Sequence, residues 1–148
     1  NVTVKVDVPH DLPPVWCAQV MVEQVLLNLA RNAIQAMSGT PPPLRSLRFS
    51  ARLALSCDKV IFSVADHGCG IAPGVAPRLY TPFFTTKSEG MGLGLPLCRT
   101  VVEQHGGTLT HEANEPQGTV FSFTLPVAVA GQAEPFEDGA IQKMADFH

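Results

Sequence analysis

Asn28 and Asn32 stand one helical turn apart in the run Leu27-Asn28-Leu29-Ala30-Arg31-Asn32-Ala33-Ile34-Gln35-Ala36-Met37. Side chains at i and i+4 share a helix face. The two carboxamides therefore form a polar stripe opposite an apolar face made of Val22, Val25, Leu26, Leu29, Ala33 and Ile34. A carboxamide oxygen is a hard, neutral ligand for Mg2+, and its NH2 can donate to phosphate. Alone the pair is a weak signal, because asparagines are common on exposed helix faces.

Three later segments add to it. Asp66-His67-Gly68-Cys69-Gly70 closes the apolar run Val60-Ile61-Phe62-Ser63-Val64-Ala65. An acceptor-only carboxylate at a strand end, followed by two glycines, suits a flat base with an exocyclic amine, since glycine lets backbone approach a ligand closely. Thr81-Pro82-Phe83-Phe84-Thr85-Thr86-Lys87 comes next. Gly90-Met91-Gly92-Leu93-Gly94-Leu95 then runs into the helical pattern Leu97, Val101, Val102, His105. A glycine-rich lead-in to a helix N-terminus is an anion site, with free N–H groups and the positive end of the dipole facing phosphate.

In this order and spacing the four segments resemble the ATP-binding catalytic domain of sensor histidine kinases, within the superfamily shared with gyrase, the ninety-kilodalton heat-shock chaperones and the MutL repair proteins. The resemblance covers roughly residues 1–126. It looks closest to the nitrogen-regulation and oxygen-sensing kinases, which carry the same short Phe-Thr-Thr-Lys lid and a similar Val-Glu-Gln-His-Gly-Gly segment, here Val102 to Gly107. It implies that Asp66 takes the adenine amine with help from the Thr119 hydroxyl, and that Gly68, Gly70 and Ile71 shape the base pocket. It implies Asn32 as the Mg2+ ligand and Asn28 as a phosphate-facing group. Thr86, Lys87, Gly90, Gly92, Leu93, Gly94 and Leu95 would surround the triphosphate. Asn28 and Lys87 are the candidates for a catalytic part; Phe83 and Phe84 read as lid anchors or core.

The ATP-hydrolysing relatives place a glutamate four residues before the metal asparagine. This chain has Asn28 there, and a carboxamide cannot take a proton near neutral pH. The resemblance therefore implies transfer of the ATP γ-phosphate to a histidine on a separate dimerisation domain, with a response regulator downstream. The alternative is a non-catalytic ATP-sensing or docking module of the same superfamily. The phosphoacceptor helix is missing: His10 precedes Asp11, but in a Pro-flanked loop.

The chain has 148 residues, 45% of them hydrophobic and 16% charged, which suits one globular domain. Its net charge of −3 lies in residues 127–148, while residues 1–126 hold nine basic and nine acidic side chains. With no basic field, neither nucleic acid nor a membrane surface is an expected partner. Cys17, Cys57, Cys69 and Cys98 lack metal-site spacing and read as reduced cytoplasmic thiols, although four cysteines in a secreted chain could also pair. No run of 18 apolar residues is present, and no signal peptide is expected in this stretch. A chain opening at Asn1 is expected to be a fragment of a longer protein, whose membrane anchor could lie elsewhere.

Period-two alternation predicts a strand over residues 2–8, and Val15-Trp16-Cys17 a short extended piece. A helix is expected from Ala18 to Met37, stopped by Ser38-Gly39, then a Pro-rich loop over residues 40–44. Strands are expected over residues 47–55 and 59–65, turning near Ser56-Cys57-Asp58. Residues 71–91 read as a mobile loop with one short helix near Val75–Tyr80. A second helix should run from Leu93 to His105, with Pro96 in its first turn, ending at Gly106-Gly107. A hairpin of residues 108–112 and 118–125 follows. The order gives an α+β fold: a two-layer α/β sandwich, a mixed sheet with helices on one face, the Bergerat-type ATP-binding fold of the resemblance. The ATP-binding domain is expected to span 1–126, and 127–148 to form an acidic C-terminal tail, whose order or flexibility the sequence leaves open.

Overall fold

A computed structural model describes residues 1–82 and 94–128 and the backbone of 135–136. Five strands form the main sheet: β1 (Thr3–Asp7), β3 (Ser46–Leu53), β4 (Lys59–Asp66), β5 (Leu109–Ala113) and β6 (Thr119–Pro126). Their order is β1-β3-β4-β6-β5, with β1 parallel to β3 and every other pair antiparallel. Alternation sets the two faces. Leu47, Phe49 and Ala51 of β3, Val60, Phe62 and Val64 of β4, and Phe121, Phe123 and Leu125 of β6 are all buried. The side chains between them form a more open, mixed face, where the Ser63 and Ser122 hydroxyls meet at 2.8 Å across neighbouring strands.

Helices α1 (Gln19–Ala36) and α2 (Gly94–Gln104) cover the buried face, α1 over β3 and β4, α2 over β5 and β6. This is the mixed two-layer sandwich that the pattern predicts. The buried stripe of α1 is Val22, Val25, Leu26, Leu29, Ala30 and Ala33, so Ala30 sits where Ile34 was expected and Ile34 is only half-buried. Gly39 does not end α1 in a left-handed conformation; the chain tightens instead, with Ser38 N–H donating to Gln35 C=O and Thr40 N–H to Met37 C=O. α2 does end at a left-handed glycine, Gly106, with φ 77°.

No side chain of its own caps the start of α1, where Ala18 is the N-cap residue. The buried His105, just past α2, serves it instead. Its Nε2 accepts the Ala18 N–H at 3.0 Å, and its Nδ1–H donates to Val101 C=O at 2.7 Å. The ring leans on Trp16, with centroids 6.1 Å apart. His105 thus binds the two helices together as well as closing its own.

A two-residue strand β2 (Val15–Trp16) has a backbone edge that needs partners. Val127 bridges to Val15, Ala128 N–H donates to Pro14 C=O at 2.8 Å, and β7 (Pro135–Phe136) pairs antiparallel with β2. Paired backbone therefore continues past Pro126, where the hydrophobic pattern fades into the acidic tail.

Candidate nucleotide-binding site

Asp66 is the last residue of β4 and only 2% exposed. Its Oδ1 accepts the N–H of Gly68 at 2.8 Å and that of Thr119 at 3.2 Å. Burial raises its carboxyl above the usual carboxylate range, opposed more weakly by those two N–H donors and by His67. The bond from Thr119 comes from its backbone N–H, which leaves its hydroxyl out of the contact with Asp66. The result is a carboxyl group fixed in place, able to accept from a ligand N–H in a nearly dry setting.

Three neighbouring pieces of chain fix this carboxyl. From α1, Ala36 C=O accepts the Cys69 N–H at 3.1 Å, and a Cβ on Gly68 would stand 2.6 Å from that carbonyl. From the turn after α1, the buried Thr40 hydroxyl donates to His67 C=O at 3.1 Å, and Arg45 Nε holds Thr40 C=O at 2.7 Å. From the β5–β6 turn, Asn114 Nδ2 donates to Asp66 C=O at 2.7 Å and Gln117 Nε2 to His67 C=O at 3.3 Å. Gly118 in that turn has φ 113°, and a Cβ there would lie 2.0 Å from Asp66 C=O. A cleft of about 480 Å³ opens beside the motif, lined by Gln35, Ser38, Thr40, Cys69 and Gln117 among others. Sequence reasoning missed Thr40, Asn114 and Gln117. The Asn-Glu-Pro-Gln-Gly run marked a turn, but nothing in it named the strand end it would reach.

Asn28 and Asn32 are half-buried on α1. The Asn28 carboxamide meets the Cys98 thiol of α2, which is fully buried and donates to Val25 C=O at 3.8 Å. Burial pushes that thiol up to about 11. Asn28 thus faces α2, the helix that Gly94 opens. Ile71 and Leu95 are half-buried against the core. All four cysteines are free. Thr86, Lys87, Gly90, Gly92 and Leu93, like Phe83, Phe84 and Met91, lie outside the described residues. Among the described residues no three His, Cys, Asp or Glu side chains cluster as a metal site. A lone neutral oxygen from Asn32 suits Mg2+ that arrives already held by phosphates, since this ion keeps most of its shell as water and phosphate oxygen.

Residues 17–129 match the family described as histidine kinase-, DNA gyrase B-, and HSP90-like ATPase. The chain belongs to this family. It is 45% identical over 120 residues to the C4-dicarboxylate transport sensor protein DctS of Rhodobacter capsulatus, covering 81% of this chain and 18% of that one. The catalytic domain of histidine kinase ThkA superposes with a TM-score of 0.72 at 32% identity, over 85% of this chain and 79% of that domain. Full-length ShkA, crystallised with AMPPNP, gives a TM-score of 0.71 at 29% identity over 87% of this chain and 26% of its own. The chain spans less than a quarter of the length of curated sensor relatives such as DctS and TdiS of Thauera aromatica. Its fold and sequence are those of the catalytic domain of a two-component sensor histidine kinase.

Proposed function

We propose that this domain binds Mg-ATP and presents the γ-phosphate to a histidine on a separate helical dimerisation domain, from which a response regulator takes the phosphoryl group. One observation carries the reading: the carboxyl of Asp66, buried and locked by two backbone N–H groups, in a motif bonded to the end of α1, the helix that bears Asn28 and Asn32. Asp66 would accept the adenine amine, with Gly68, Gly70, Ile71 and Thr119 around the base. Asn28, Gly94 and Leu95 would face the phosphates, joined by Thr86, Lys87, Gly90, Gly92 and Leu93. Asn32 would complete the shell of Mg2+, which neutralises phosphate charge when bound. The likeness to ShkA, crystallised in complex with AMPPNP, supports nucleotide binding by this domain. Catalysis is then positioning and charge neutralisation.

Asn28 supplies no general base, so water is a poor acceptor and histidine a suitable one. No helix of the described residues is long and apolar enough to cross a membrane. We place the domain on the cytoplasmic side of its full-length protein, where ATP is available.

The test mixes the chain with a purified dimerisation domain and γ-labelled ATP. Acid-labile, base-stable label on that domain's histidine is the expected outcome. Label released only as free phosphate would mean an ATPase, and no label despite ATP binding would mean a sensing module. The chain alone is expected to take up no label, because no described histidine lies on an exposed helix: His10 sits in a turn, His67 follows β4, His105 is buried and His111 is on β5.

A further inference from the structure

Beyond the base motif, the segment from Ile71 to Pro82 contains a single 3-10 turn, Ala76–Arg78. Two residues later Tyr80 ties it to both layers of the fold. Its hydroxyl lies 3.2 Å from His111 Nδ1 on β5, and its ring centroid 6.0 Å from that imidazole. The guanidinium of Arg99, on α2, stands 5.3 Å from the Tyr80 centroid. Arg99 is itself held by Glu103, with Nε to Oε1 at 2.9 Å. Burial raises the phenol's pKa, so it acts as a neutral hydroxyl. The His111 ring continues the chain of contacts to Phe121, at 5.9 Å. Phe121 lies two residues along β6 from Thr119, whose N–H fixes Asp66. One cluster therefore runs from the strand behind the base motif, through Tyr80, to the helix whose first turn faces the phosphates.

We propose that Tyr80 is a positioning residue: it sets the distance between the base-binding wall and α2, so that base and phosphates are engaged together. The inference rests on the nucleotide reading above. A purely structural anchor would weaken every ligand alike. A spacer between two subsites costs more for a ligand that occupies both than for one that occupies the base side alone.

The experiment measures ATP and adenosine affinity by competition calorimetry on the full 148-residue chain for wild type, Tyr80→Phe, Tyr80→Leu, Arg99→Met and the double variant Tyr80→Leu/Arg99→Met. Tyr80→Leu and Arg99→Met should each reduce the ATP-to-adenosine affinity ratio by about threefold to tenfold. Tyr80→Phe keeps its ring beneath Arg99 and should lose about twofold. The double variant should be no worse than Tyr80→Leu, because both remove one coupling. Arg99 is exposed, so its variant tests the idea even where Tyr80→Leu destabilises the fold. An unchanged ratio in Arg99→Met and Tyr80→Phe, or full additivity in the double variant, overturns the positioning role. Wild type that binds no ATP overturns the nucleotide reading instead, and the positioning role with it.

Discussion

A Cβ placed on Gly118 would lie 2.0 Å from the Asp66 carbonyl, and one on Gly68 2.6 Å from Ala36. At Gly94, where α2 begins, an added Cβ meets nothing within 4 Å among the described residues. The two ends of the site use glycine differently. At the base end the glycines let three pieces of backbone close around one carboxyl, so its geometry is complete before any ligand arrives. At the proposed phosphate end the described residues leave room around Gly94, and Asn28 and Asn32 are half-buried. The preformed end holds the group that would recognise a base; the open end can admit a charged, hydrated phosphate chain and its metal ion.

The sharpest way to break this contrast is Gly118→Ala. The methyl would clash with Asp66, and φ 113° is strained for alanine, so a stability loss of about 2–4 kcal/mol is expected in denaturant titration. A loss below about 1 kcal/mol would mean that the turn relaxes easily and the base end is not rigid.

Asp66→Asn comes next. Losing a charged acceptor should weaken ATP binding by about 1.5–3 kcal/mol, roughly 10- to 150-fold. The fold should respond differently. A carboxyl raised by burial carries a cost at neutral pH, and that cost is relieved as pH falls through the raised value toward the ordinary one. Asparagine keeps an oxygen for Gly68 and Thr119 and carries no charge. The variant should therefore melt no lower than wild type at pH 7, and any advantage should shrink on acidification. Wild-type ATP affinity should fall over the same acidic range, because a protonated carboxyl is a poorer acceptor. Calorimetry and melting curves across pH check both, and undiminished affinity in a folded variant would remove Asp66 from the site.

At the open end, Asn32→Ala should weaken ATP binding by about 0.5–1.5 kcal/mol with Mg2+ present and leave it unchanged in EDTA. Equal losses in the two conditions would assign Asn32 to the nucleotide rather than to the metal. Smallest is Gly94→Ala, expected to move stability by no more than about 0.5 kcal/mol. A larger destabilisation would show that the phosphate end is as tightly packed as the base end.

These differences also decide what could be read from the sequence. β4 and β6 alternate cleanly because one face is buried and the other open, and α1 shows its buried stripe because its outer face is polar. The Asp-Gly-Gly motif was legible because its residue types carry the chemistry themselves. Its supports were not. Asn114 reaches Asp66 across 48 positions, and Thr40 holds His67 across 27. Such contacts depend on which strand ends the fold brings together, and no local period encodes that. The pairing of β7 with β2 was hidden for the same reason, since two-residue strands carry too little pattern to detect.

The bond between Ala18 and His105 spans 87 positions. During synthesis the ribosome releases the whole of α1 long before the residue that completes its first turn. At about 5–20 residues per second the delay is several seconds. Throughout that interval α1 has an uncapped start and an apolar stripe without α2 or the last strands to cover it. The domain is thus built so that its central helix is finished only once α2 and the residue just past it have emerged, and the nascent chain must stay soluble until then.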